Sequence, residues 1–294
     1  MADKILQQKI IIITDAKNEI DDQFALTYAL RSPEIQVVGV IATHNTIKHG
    51  RSSLDLYFDE AEKIVNLSGK KTPVLRGSRR PFNPNNSENS EGVQFLINQL
   101  LTSGETIRVI CIGPCTDLAN GLALEPTIKD KAEYFWLGGF ASQGIANQFR
   151  HKELNFLADT RAATKVLDEI KDLSIIPVWG AAERLVVSIP SFAEDLSKVD
   201  SPLSLYLRKL LIGNWSRFKP WTVFIPHILK RYWVLSDVAA VAAAKNFQVE
   251  IRKSSCKIEG KKFAFDNGKT INIIHLKNEH QILADMKDCI LKNT

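Results

Sequence analysis

The chain has 294 residues, 45% of them hydrophobic and 24% charged, enough to bury a large core without disulfide staples. Its net charge of +5 comes from 38 basic and 33 acidic residues, scattered apart from short pairs such as Arg79-Arg80 and Lys261-Lys262, which argues against nucleic acid as a partner. The four cysteines lack C-x-x-C spacing and read as reduced cytosolic thiols, no stretch nears the ~18 apolar residues of a membrane span, and the N-terminus lacks a signal-type apolar region, so a cytoplasmic protein is expected.

Through the N-terminal half, short β-branched runs alternate with helical periodicity, the pattern of βαβ units and a mainly parallel sheet. Strands are predicted over residues 9–14, 36–42, 107–112, 134–137 and 173–178, and helices over 21–31, 54–67, 93–101, 117–124 and 160–170. The 77–92 segment has loop composition, which suits a lid or a plain mobile loop. An aromatic-rich helical region follows over 203–232, then a helix starting at 236–237, short strands over 247–251, 256–258, 262–265 and 271–275, and a closing helix from 279. The expected fold class is α/β: one domain over 1–294, with an open, mainly parallel, Rossmann-like sheet flanked by helices and a small C-terminal β/α extension.

Ligands of open α/β sheets bind beyond the carboxyl ends of the strands, which directs attention to Asp15, residues 43–45, Gly113-Pro114, Gly138-Gly139 and Trp179-Gly180. After the first strand, Asp15, Glu19, Asp21 and Asp22 place four acidic groups within eight residues. Such crowding is repulsive unless a cation or solvent relieves it. Helix capping explains Asp21 or Asp22. It does not explain Asp15 at a strand end, whereas converging hard carboxylates are what Ca²⁺ requires.

Thr14-Asp15 followed by Asn18-Glu19-Ile20-Asp21-Asp22 and Ala25-Leu26 resembles the N-terminal signature of the inosine-uridine nucleoside hydrolases. Four further segments resemble that family in the same order: the turn from Gly113-Pro114 to Leu118-Ala119, Leu137-Gly138-Gly139, Glu153-Leu154-Asn155-Phe156 with Asp159 and Ala162-Ala163, and Leu235-Ser236-Asp237-Val238-Ala239. The resemblance implies hydrolysis of a ribonucleoside or related N-riboside to ribose and free base, in nucleoside salvage, with Ca²⁺ as cofactor. It makes Asp15 a metal ligand and general base, Asp22 and Asp237 further ligands, and the Ile112 carbonyl the remaining protein ligand. Asp21, Asn147, Glu153 and Asn155 would hold ribose hydroxyls. A dimer or tetramer is implied by the family as well.

The chain departs from the pattern around the leaving group. Ser236 stands where many members have a histidine beside the metal-binding aspartate, and the 77–92 segment has no histidine. Ile13 replaces the first aspartate of the usual opening, and the turn from Asp15 to Asp21 is longer than usual. Candidates for an acid or a stacking shelf are His227, His44, Trp215, Trp221 and Trp233, for each of which a satisfied core or surface role is the simpler reading. Two other functions fit the same residues: hydrolysis of a different ribosyl compound, or a non-catalytic nucleoside-binding or regulatory protein that keeps the metal site.

Overall fold

Ile10, Ile11, Ile12 and Ile13 are all but inaccessible to solvent, and a strand apolar on both faces belongs in the middle of a parallel sheet covered on both sides. The structure, a computed structural model, describes residues 7–216 and 231–292. Its strands are β1 (Gln8–Thr14), β2 (Ile35–Ala42), β3 (Val74–Arg76), β4 (Ile107–Cys111), β5 (Ala132–Leu137), β6 (Ser174–Ile176), β7 (Val186–Ser188), β8 (Tyr232–Val234), β9 (Val249–Glu259) and β10 (Lys262–Leu276). Eight of them form one sheet in the order β3-β2-β1-β4-β5-β6-β10-β9, while β7 and β8 pair separately. Within the large sheet every pairing is parallel except that of β9 with β10.

This order reverses direction between β1 and β4, so a crevice opens at their carboxyl ends. Two helices deliver side chains to it. The Asp21–Arg31 helix has ten of its eleven residues buried, and Ile20 at its N-cap makes no side-chain capping bond. Asp21 and Asp22 therefore sit in the first turn without serving as its cap, and the capping explanation is set aside. The Val238–Ala244 helix is buried at every residue. Its small side chains let it pack against β4, β5 and the Asp21–Arg31 helix, and Asp237 at its N-cap thereby meets residues from the other end of the chain.

The C-terminal region corrects the sequence reading. Four predicted short strands are two long ones, and their hairpin builds the C-terminal β/α extension onto the edge of the main sheet, because β10 pairs with β6. The polar stretches at Ser254-Ser255 and Asp266-Asn267-Gly268 read as breaks. In the fold, the second is a bulge between Ala264 and Lys269, bridged by Ser255 Oγ, which donates to the Gly268 carbonyl at 2.8 Å and accepts from its N–H at 2.9 Å. A Cβ at Gly268 would lie 2.1 Å from the Cys256 carbonyl oxygen.

The 77–92 segment is tied down. Asp117 Oδ1 accepts from the N–H and hydroxyl of Ser78 at 2.5 and 2.8 Å, Asp159 Oδ2 accepts from the Phe82 N–H at 2.6 Å, and Asn120 Oδ1 from the Glu88 N–H at 2.9 Å. Asp117→Ala would leave the buried Ser78 donors without an acceptor, so a loss of about 2–3 kcal/mol in unfolding free energy is expected by denaturant titration.

Candidate functional site

A cavity of about 220 Å³ lies at the crevice, lined by Asp15, Asp21, Asp22, Glu153, Asn155 and Asp237 among others, with Ile112 in its wall. Asp21, Asp22 and Asp237 each offer a carboxylate oxygen within 4.8 Å of the other two, and all three are buried. Their hydrogen bonds cross between elements. Thr14 Oγ1 donates to Asp22 Oδ1 at 2.6 Å, and Ser236 Oγ donates to Asp21 Oδ2 at 2.5 Å.

Asp15 lies outside that tight trio but in the same cavity. Its Oδ2 accepts from Asn45 Nδ2 at 2.6 Å and Asn18 Nδ2 at 3.0 Å. Gly113 keeps the other side of this carboxylate open: a Cβ there would lie 3.1 Å from Asp15 Oδ1 and 3.0 Å from the Thr43 methyl. Neither asparagine was singled out for this role from the sequence, although Asn45 falls in the flagged stretch after β2; the hydrogen bonds are tertiary and leave no periodic trace.

Burial drives the electrostatics. It pushes the Asp15 carboxyl up to about 7 and that of Asp21 to about 6, with the charge of Asp21 adding to the rise at Asp15 and that of Glu19 to the rise at Asp21. Asp22 and Asp237 are raised well above the usual carboxylate range by burial and by their acidic neighbours. A hard divalent cation fits this donor set, since it would replace mutual repulsion by attraction and bring these carboxyls back to the ionised form. The sign for stability follows from the raised values. The stabilisation is complete below the ordinary aspartate pKa of ~4 and is lost as pH rises through about 6 to 7. In chelator, calorimetry is expected to give a higher unfolding temperature at pH 5 than at pH 8, with Ca²⁺ raising it most at pH 8.

Glu153 and Asn155 carry structural duties at the cavity wall. Glu153 caps the Leu154–Ala158 helix, accepting from the N–H groups of Asn155 at 3.1 Å and Phe156 at 2.6 Å, and burial pushes its carboxyl to about 7. Asn155 Nδ2 donates to the carbonyls of Ile112 at 3.2 Å and Leu137 at 2.9 Å, tying the ends of β4 and β5 together. Asn147 is not brought to the cavity: it is exposed on the Gln143–Phe149 helix, where Gln143 Nε2 donates to its Oδ1 at 2.9 Å. Asp159 caps the Thr160–Glu169 helix through the Ala162 N–H.

The leaving-group candidates fare differently. His44 is fully buried against Thr116 Oγ1 at 2.8 Å, and burial holds its ring down at about 4, so it is neutral and lines neither this cavity nor the next. His227 and Trp221 lie outside the described residues, as does the side chain of Trp215. Trp233, on β8, lines an adjoining cavity of about 300 Å³ together with Tyr206, Glu60 and His49. The two cavities share Asn18 and Glu19. The 77–92 segment lines neither of them, contrary to the lid reading, because Asp117, Asn120 and Asp159 hold it elsewhere.

A sequence model of the family "Inosine-uridine preferring nucleoside hydrolase" matches residues 10–287. The chain belongs to this family. Membership in this nucleoside hydrolase family makes the protein a hydrolase, and it agrees with relatives in sequence and in structure. "Probable uridine nucleosidase 2" of Arabidopsis thaliana is 28% identical over 233 residues, 70% of this chain and 69% of the relative. "Pyrimidine-specific ribonucleoside hydrolase RihB" of Escherichia coli is 26% identical over 182 residues, 54% of this chain, which spans 56% of that relative's length. Among solved structures, "Plant nucleoside hydrolase - PpNRh1 enzyme" superposes with a TM-score of 0.77 at 18% identity, over 97% of this chain and 99% of the other, which establishes the shared fold. Among the described residues no helix is long and apolar enough to cross a membrane.

Proposed function

We propose that the protein hydrolyses the N-glycosidic bond of a ribonucleoside or related N-riboside, giving ribose and free base, at a Ca²⁺ site formed by this acidic cavity. The observation that carries this reading is the convergence of Asp21, Asp22 and Asp237 from distant parts of the chain, with their carboxylate oxygens within 4.8 Å and buried. Breaking an N-glycosidic bond builds positive charge on the sugar, which a ring of oxygen groups stabilises while water attacks the anomeric carbon. The cation supplies, when bound, the positive charge that lets hard oxygens converge and that orients vicinal ribose hydroxyls.

Asp22, Asp237 and the Ile112 carbonyl are assigned to the ion, and Asp15 lines the same cavity in reach of that role. Asp15 takes the proton of the attacking water, with Asn45 and Asn18 fixing its plane. Asp21 holds a ribose hydroxyl and is itself steadied by Ser236. Glu153 and Asn155 close the wall beside it. Family resemblance supports a dimer or tetramer, and four free, buried cysteines suit a reducing cytoplasmic setting.

Ribose release from a panel of purine and pyrimidine nucleosides tests the reading. Turnover of at least one N-riboside is expected. Normal Ca²⁺ binding without release from any of them would leave a binding protein instead.

A further inference from the structure

We propose that His49 is the group that meets the departing base, donating a hydrogen bond from Nε2 to the ring nitrogen released from the anomeric carbon. This rests on the N-riboside reading above. With the vicinal diol at the acidic trio, the base must leave through an opening beside the anomeric carbon. The adjoining cavity supplies one, since it shares Asn18 and Glu19 with the ribose cavity and carries the aromatic and polar lining of Trp233, Tyr206, His49 and Glu60 that suits a heteroaromatic ring.

The other described candidates for a donor, Ser236 and the remaining histidines, do not line the adjoining cavity. The Ser236 hydroxyl already donates to Asp21 Oδ2 at 2.5 Å, and His44 is sealed against Thr116. His151 is exposed and accepts from Arg150 Nε at 2.9 Å, while His275 lies on β10 and His280 on the Glu279–Leu291 helix. Among the described histidines, only His49 lines the adjoining cavity.

Its partner sets the chemistry. The Tyr57 hydroxyl lies 2.7 Å from His49 Nδ1, with the rings edge to face at 5.6 Å between centroids. Tyr57 is fully buried, and burial together with the charges of Asp15 and Asp22 raises its phenol well above the ordinary value, so it keeps its hydrogen. In the proposed arrangement this hydroxyl donates to Nδ1, which leaves the imidazole proton on Nε2. In the reaction, the bond between C1′ and the base nitrogen breaks with both electrons passing to that nitrogen, which accepts the hydrogen bond from His49. The water oxygen bonds to C1′ and yields its proton to Asp15. The base departs as a hydrogen-bonded anion and takes its proton from solvent.

The test compares a nucleoside with p-nitrophenyl β-D-ribofuranoside, whose phenolate leaves without a donor. His49→Ala is expected to lower kcat/KM for the nucleoside by about 10²–10⁴-fold, and the ratio of nucleoside to p-nitrophenyl riboside by at least about 100-fold. Tyr57→Phe should shift the same ratio less, and His49→Gln, which keeps an N–H donor, should recover part of it. Unfolding temperatures and Ca²⁺ affinity of each variant establish that it is folded. A folded His49→Ala protein losing both substrates in parallel, or neither, overturns the inference. So does a wild type that cleaves the p-nitrophenyl riboside but no nucleoside, a result that leaves the ribose site standing. Cleavage of neither by the wild type would bring down the N-riboside reading itself.

Discussion

Asp15→Asn is expected to lower kcat for ribose release by about 10²–10⁴-fold, the usual worth of a positioned general base. The substitution is nearly isosteric in a site 1% exposed, so the close approach of Gly113 is retained. What is lost is the acceptor for the proton of water. Because burial raises the Asp15 carboxyl to about 7 in the absence of a cation, the charge is costly in the folded chain above that pH, and the variant is expected to unfold at a higher temperature than wild type at pH 8 in chelator. A variant more stable and far less active separates a proton-accepting role from a structural one. Equal falls in both quantities would contradict the assignment.

Asp237→Ala is expected to reduce Ca²⁺ affinity by more than about 100-fold, since even outer partners of metal ligands are worth about 10–100-fold. The aspartate is 4% exposed at the start of a fully buried helix. Its removal takes one carboxylate from the trio and leaves Asp21 and Asp22 facing each other. Glu105→Ala makes the same charge change at an exposed residue paired with Lys9, and should leave Ca²⁺ affinity unchanged by calorimetric titration. A parallel loss in both variants would mean that net charge, not a built site, holds the ion.

Much of the framework was readable before the fold was known, for identifiable reasons. The helix over 21–31 has the bounds read from the sequence, because an acidic start, an apolar body and the break at Ser32-Pro33 punctuate it on both sides. β3, three residues long, carries too little pattern to be seen, and the Gln143–Phe149 and Leu154–Ala158 helices, seven and five residues long, are too short to show a periodicity and start at the side-chain caps of Ser142 and Glu153. At the site, the crowding of Asp15, Asp21 and Asp22 was visible locally. The approach of Asp237 was accessible only through family resemblance, because nothing in its own segment reveals that its helix packs under β4 and β5.

His49 illustrates the complementary failure. A histidine at the end of the four-residue Thr46–His49 helix carries no signal of its own; its interest arises from Tyr57, eight residues on, and from a cavity completed by Tyr206 and Trp233. Asn147 illustrates the reverse. The family resemblance set it beside Glu153, six residues on, to hold the ribose, yet the Gln143–Phe149 helix turns its side chain to solvent and to Gln143. Spacing along the chain constrains a site only where the backbone between the residues is regular.

The central claim is that N-riboside hydrolysis takes place at the acidic cavity and depends on Ca²⁺ held there. The most direct measurement is ribose release by the chelator-treated wild-type protein as Ca²⁺ is added back, using the best nucleoside of the panel. Activity should be at background without the ion and rise along a saturable curve that matches the calorimetric binding isotherm. Turnover that persists unchanged in chelator, or Ca²⁺ that binds without restoring any, would contradict it.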